Sequence, residues 1–214
     1  MKTETRMILA LDETDPERAL DIAKKVSGYI DAVKINWPLV LTGGPEMITR
    51  LAEISDVICD FKVADIPNTV SLIVSNAVKR GASAVIVHAF TGDDSLKAAV
   101  AAAGDAEIYA VTEMSHPGGR MFTAKHAEEM AAMGVECGAA GFIAPATRPE
   151  RIAAIRKVIG DRKILSPGVG AQGGSASSAI RAGADYVIVG RAIYGSDDPE
   201  AAARSIAEEI RTVL

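Results

Sequence analysis

Short apolar runs rich in β-branched residues alternate along this chain with stretches whose apolar positions recur at helical spacing. Met7-Ile-Leu-Ala-Leu11 reads as a strand, and Asp15 to Val26 follows it as a helix. That helix opens on an Asp-Pro pair suited to an N-cap and first turn, and it sets Ala19, Ile22, Ala23 and Val26 on one face. The alternation continues with Ala32 to Ile35 and a helix from about Pro45 to Ile54, then Val57 to Val63 and a helix from about Asn68 to Lys79. Ala84 to His88 precedes Asp93 to Ala103, and Ile108 to Val111 precedes a long polar loop and Ala124 to Met133. Gly141 to Ala144 precedes Pro149 to Ile159. Lys163 to Leu165 precedes a glycine-rich loop and Ser175 to Ala182, and Tyr186 to Val189 precedes Asp198 to Val213.

Continuous apolar strands alternating with amphipathic helices predict a parallel sheet covered by helices. Eight such units predict closure into a single (β/α)8 barrel over residues 1–214 rather than an open doubly wound sheet. An internal echo agrees: Gly81-Ala-Ser-Ala-Val-Ile-Val87 recurs as Gly183-Ala-Asp-Tyr-Val-Ile-Val189, with Gly138 to Ala144 as a weaker copy. In each, a Gly-Ala turn ends a helix and launches an even-numbered strand.

Composition narrows the function. The 214 residues carry 28 acidic and 23 basic side chains, a net charge of −5, which disfavours a nucleic-acid surface built from clustered Lys and Arg. Cys59 and Cys137 are the two cysteines and stand far apart, so neither metal spacing nor a disulfide framework can be built from them. The N-terminal apolar run stops at Asp12, too short for a signal peptide, and no uninterrupted run reaches membrane length. The expectation is a cytoplasmic protein with no membrane partner.

A parallel barrel carries its chemistry at the C-terminal ends of its strands. Polar residues fall there in number: Asp12, Lys34, Asp60, Lys62, His88, the run Thr112 to Gly118, the run Ser166 to Gly174, and Gly190-Arg191. Asp60 and Lys62 are two apart on one strand, so both point inward while Cys59, Phe61 and Val63 face the helices. With Lys34 on the adjacent strand and Asp65 beyond, four charges of alternating sign are expected to form one cluster. A structural salt-bridge network is the plain reading of one buried pair; four charges at the catalytic end favour a working site. The glycine-rich loop after strand 7 is ordinary turn chemistry by itself, but Arg191 after strand 8 adds a bidentate phosphate partner. Together they predict a small phosphorylated ligand bound by backbone N–H groups and Arg191. His88 fits either a packed core histidine or a functional one, His116 and His126 have no metal-ligand spacing, and Trp37 suits core or rim.

The run Asp60-Phe-Lys62-Val-Ala-Asp65-Ile-Pro-Asn-Thr69 resembles the signature of the orotidine 5′-monophosphate decarboxylase family, especially its compact archaeal form. The likeness extends through Leu9-Ala-Leu-Asp12, Val33-Lys34-Ile35, Thr112 to Gly118, Ser166 to Gly174 and Val189-Gly190-Arg191. The Asp-x-Lys-x-x-Asp core is shared with Mg²⁺-dependent phosphosugar decarboxylases and hexulose-phosphate synthases, which carry a Glu ligand where this chain has Lys34. The resemblance implies conversion of orotidine 5′-monophosphate to UMP without metal or cofactor, with Lys62 protonating the C6 carbanion and Asp60 beside the leaving carboxylate. It implies that Asp12 and Lys34 bind ribose hydroxyls, that Lys34 also holds Asp60, and that Ser115 binds the pyrimidine edge. Pro167, Gln172, Gly190 and Arg191 would hold the nucleotide at its phosphate end, with Ser166–Gly174 closing as a lid. Asp65 and Thr69 would reach into the neighbouring subunit of a homodimer. An Mg²⁺-dependent phosphosugar enzyme and a non-catalytic phosphometabolite-binding barrel are the alternatives.

Overall fold

The computed structural model describes residue 1 and residues 3–214. Eight parallel strands, β1 (Met7–Leu11), β2 (Ala32–Ile35), β3 (Asp56–Val63), β4 (Ala84–His88), β5 (Glu107–Val111), β6 (Gly141–Ile143), β7 (Lys163–Val169) and β8 (Tyr186–Val189), close into a barrel in sequence order. The helices of the outer layer are α1 (Pro16–Val26), α2 (Trp37–Gly43), α3 (Glu46–Ala52), α4 (Pro67–Lys79) and α5 (Asp93–Ala103). They continue as α6 (Ala127–Glu136), α7 (Pro149–Ile159), α8 (Ala176–Arg181), α9 (Arg191–Tyr194) and α10 (Pro199–Arg211). The (β/α)8 expectation is therefore met. No helix among the described residues is long and apolar enough to cross a membrane.

The strands are buried on both faces, which is why they read as continuous apolar runs. Outward side chains such as Leu9, Val33, Cys59, Val85, Val187 and Val189 merge with the buried helix faces into one core. The inward set, including Ile8, Ala32, Ile58, Ile86, Tyr109, Leu165, Tyr186 and Ile188, fills the barrel itself. Cys59 and Cys137 are both buried and unbridged. The repeated Gly-Ala turns have a backbone cause: Gly81 and Gly183 sit at φ values of 100° and 107°, where a side chain is strained.

Several elements differ from the sequence expectation. One helix was expected between the second and third strands, and two are present, α2 and α3. Trp37-Pro-Leu-Val-Leu is apolar throughout, so it shows no helical period, yet the Asn36 side chain caps it by accepting the Trp37 N–H at 2.7 Å. The sixth α-helix begins at Ala127, because Thr123–His126 form a 3₁₀ turn ahead of it. β7 continues through Val169, so the first half of the expected glycine-rich loop is strand, and its register against β8 shifts between Pro167 and Val169. Gly168, at φ 102°, absorbs that shift.

Candidate active site

Because inward residues alternate along each strand, the residues that continue the inward parity past the last apolar layer meet at the C-terminal mouth. There a cavity of about 220 Å³ is lined by Asp12, Lys34, Asp60 and Lys62. Ser115, Pro167, Gln172, Gly190 and Arg191 also line it.

Asp60 lies at the centre of the charged group. It accepts Lys62 Nζ on both carboxylate oxygens at 2.8 Å and Lys34 Nζ on Oδ2 at 2.9 Å. Lys34 Nζ also lies 3.8 Å from Asp12 Oδ1. The Asp60 and Lys34 side chains are only 8% and 6% exposed, whereas Lys62 is 32% exposed. Burial pushes the Asp60 carboxyl up, but the Lys34 and Lys62 ammoniums outweigh it and hold the group below the usual carboxylate range. Burial likewise pulls Lys34 down, and Asp60 and Asp12 more than offset it, so its ammonium is held above the ordinary value. The result is a chain of side chains of alternating type, Asp12–Lys34–Asp60–Lys62, with its two buried members, Lys34 and Asp60, held in their charged forms by each other and their neighbours.

Lys62 has an unusual backbone. Its φ is 44°, in the left-handed region that non-glycine residues seldom occupy. The cause lies in the β3–β4 pairing, which passes from Cys59↔Val85 directly to Val63↔Val87. Residues 60–62 bulge out of the ladder, and the bulge aims the Lys62 side chain at the cavity while Val63 resumes its outward place.

Asp65 departs from the expected four-charge cluster. It is exposed in the loop before α4, where its Oδ1 accepts the Ile66 N–H at 2.8 Å and its carbonyl accepts the Ser95 hydroxyl at 2.6 Å. It forms no ion pair among the described residues and does not border the cavity, and neither does Thr69 in the first turn of α4. The strand ends before Asp65, so inward parity no longer applies to it. Asp12 supplies the fourth charge instead.

The β7–α8 loop folds on itself: the Gly170 N–H reaches the Gly174 carbonyl at 2.9 Å, and the Gly174 N–H reaches Gly168 at 3.0 Å. Arg191 opens α9, directly after Gly190, and Tyr194 from the same turn also lines the cavity. The site can therefore present a guanidinium and a glycine-rich loop together with a lysine-flanked carboxylate.

Sequence reasoning missed Glu113 and Asn36, both of which line the cavity. Parity holds the signal for both, since Glu113 continues Tyr109 and Val111, and Asn36 continues Lys34. Glu113 is buried and paired with Arg148 and Arg151, its Oε1 2.9 Å from the first and its Oε2 2.7 Å from the second. Arg148 also donates to the Met114 carbonyl at 2.6 Å and the Ser115 carbonyl at 3.3 Å, so it fixes the segment that carries Ser115. His88 points inward at the end of β4, half-buried, with its ring 4.7 Å from Phe90. Burial and the Lys62 charge both lower its basicity.

The sequence model of the orotidine 5′-phosphate decarboxylase / HUMPS family matches residues 5–206. The orotidine 5′-phosphate decarboxylase of Methanococcoides burtonii is 55% identical over 213 residues, covering 98% of this chain and 99% of that protein. That of Thermoplasma acidophilum is 48% identical, covering 97% and 96%. Among solved structures, the Methanocaldococcus jannaschii orotidine 5′-monophosphate decarboxylase complexed with the inhibitor BMP superposes with a TM-score of 0.91. It is 40% identical and covers 95% of this chain and 97% of that one. The Pyrococcus horikoshii enzyme gives 0.89 at 48% identity, covering 96% and 99%. With its barrel closed in sequence order and its full-length match to these proteins, the chain belongs to the orotidine 5′-phosphate decarboxylase / HUMPS family.

Proposed function

We propose that this chain converts orotidine 5′-monophosphate to UMP in pyrimidine biosynthesis, with neither metal nor organic cofactor and with Lys62 as the proton donor. The observation that carries the reading is Asp60 held between Lys34 and Lys62 at the mouth of the barrel. In the reaction the C6–carboxylate bond breaks heterolytically, CO₂ leaves, and the electron pair stays on C6. The Lys62 ammonium stabilises that pair and then gives C6 a proton; the neutral amine recovers its proton from solvent. Asp60, kept ionised by its two lysines, faces the substrate carboxylate. Two like charges 4 Å apart repel by about 4 kcal/mol at an effective dielectric of 20. Enzymes need roughly 8–23 kcal/mol of barrier lowering, so carbanion stabilisation and the phosphate grip carry most of the burden.

In this reading Asp12 and Lys34 bind the ribose hydroxyls and Ser115 the pyrimidine edge. Pro167, Gln172, Gly190 and Arg191 hold the phosphate end. Lys34 separates this chemistry from the Mg²⁺-dependent phosphosugar branch, because it places an ammonium on Asp60 where that branch carries a Glu ligand.

The working unit is a homodimer in which Asp65 and Thr69 complete the neighbour's site. Two observations support this: both residues stand off their own cavity, and the elements around them expose apolar side chains. Leu41 is 79% exposed, Ile66 65%, Leu72 58% and Phe90 58%. Release of CO₂ and formation of UMP from orotidine 5′-monophosphate by purified protein, with and without excess EDTA, tests the reading; no UMP sinks it.

A further inference from the structure

Residues 60–62 lie within β3 but outside its regular register with both neighbouring strands. The β2–β3 ladder ends at Ile35↔Cys59, and the β3–β4 ladder skips from Cys59 to Val63. The regular pairing is therefore interrupted along the backbone that carries Asp60 and Lys62, just where Lys62 takes a φ of 44°. A conformation of this kind persists only where surrounding structure over-determines it. One such contact comes from α2: the Trp37 Nε1–H donates to the Phe61 carbonyl at 3.2 Å. The indole also stacks on the Phe61 ring, with centroids 4.7 Å apart and planes 27° from parallel. The Trp37 backbone N–H is held in turn by Asn36, which borders the cavity.

We propose that Trp37 is a positioning residue for Lys62: its indole N–H and ring clamp Phe61, fix the β3 bulge, and so set the ammonium against Asp60 and the reacting carbon. This rests on the decarboxylase reading for its kinetic consequence, and on the backbone geometry alone for its structural one. The indole N–H holds the Phe61 carbonyl where the regular β3–β4 register is interrupted, and the stack restrains the Phe61 side chain. Rotation of the Phe61 peptide would move Lys62, the next residue, off its place beside Asp60.

Trp37 is the chain's single tryptophan, so feeding a tryptophan analogue during expression alters this position alone. β-(3-Benzothienyl)alanine keeps the bicyclic ring and its stack but has sulfur where the indole carries N–H; Trp37→Phe is the second variant. Both are expected to lower kcat about tenfold while KM for orotidine 5′-monophosphate stays within about threefold. Amide exchange at residues 61–63, followed by NMR, is expected to quicken at least about tenfold in the analogue-containing protein. Unchanged exchange overturns the clamp whether or not the protein turns over. Faster exchange with unchanged kcat, or a kcat loss that vanishes on raising enzyme concentration, overturns the positioning role. Absence of UMP formation by the unsubstituted chain sinks the decarboxylase reading and leaves the exchange result to decide the clamp.

Discussion

Lys62 donates to both carboxylate oxygens of Asp60, each at 2.8 Å, and the same carboxylate carries Lys34 at 2.9 Å. Two ammoniums on one carboxylate leave the trio with a net positive charge, and the more exposed of the two is Lys62. In the proposed mechanism Lys62 turns from Asp60 towards the bound substrate while Lys34 keeps Asp60 ionised.

Lys62→Ala should therefore remove catalysis without removing binding. On the proposed mechanism the variant loses both the proton donor and the charge that stabilises the carbanion, so UMP formation should fall by at least about a thousandfold. Asp60 retains Lys34, so the fold survives, and UMP affinity should stay within about tenfold of the parent because the phosphate grip is untouched. Steady-state assay and UMP titration by calorimetry check the two halves. Turnover within tenfold of the parent would remove Lys62 from the mechanism.

A second expectation concerns metal. The Asp60 oxygens are occupied by lysines, and the described residues contain no group of three His, Cys, Asp or Glu side chains placed to hold an ion. Turnover should be the same in excess EDTA and should not rise with added Mg²⁺. Loss of activity on chelation, restored by Mg²⁺, would move the chain to the phosphosugar branch.

The barrel was legible because its strands are buried on both faces and its helices are amphipathic, so period and run length carried the topology. The Lys34–Asp60–Lys62 grouping was legible for the same reason: parity on β3 and adjacency of β2. Asp65 was grouped with the cluster by its closeness in sequence, but it lies in the loop past the end of β3, where strand parity no longer sets a side chain's direction. Helix α2 was missed because Trp37 to Leu41 are apolar throughout and show no period. The Lys62 bulge was illegible, since it arises from the register between β3 and β4 and not from any local residue preference.

The phosphate end gives a third expectation. Arg191 lines the cavity at the start of α9. Charge-assisted hydrogen bonds are worth about 1.5–3 kcal/mol, so Arg191→Ala should raise KM for orotidine 5′-monophosphate by roughly 10- to 150-fold. The phosphate-free nucleoside should be turned over equally slowly by parent and variant. An equal loss on both substrates would place Arg191 away from the phosphate.

Stability should fall on the acid side. The folded pKa of Asp60 is held below 3.8, so the unfolded chain binds more protons between the two values, and its stabilisation is present above 3.8 and lost as pH falls through the folded value. His88, lowered from 6.5 by burial and then by Lys62, adds a loss that begins as pH drops below 6.5, because unfolding releases it to take up a proton. Urea midpoints should therefore decline below pH 6.5 and again below 3.8. His88→Gln should flatten the upper decline and leave the lower one. A midpoint in the parent that does not change between pH 7 and 5 would contradict the lowered basicity of the half-buried His88.

The proposed sharing of sites between subunits makes the sharpest prediction. Lys62 faces the cavity of its own chain, while Asp65 is exposed and does not border it. Lys62→Ala and Asp65→Ala homodimers should each be nearly inactive. When the two chains exchange subunits, one site of each heterodimer combines both defects. The other combines Lys62 and Asp60 of the Asp65→Ala chain with Asp65 of the Lys62→Ala chain, and is intact. Random exchange makes half the dimers mixed with one good site of two, so activity should recover to roughly a quarter of the parent level. Unfolding and refolding the mixture, with heterodimers counted by native mass spectrometry, checks this. Heterodimers that form in the expected proportion yet show no recovery would mean that Asp65 acts within its own chain, where its distance from the cavity leaves it no catalytic part.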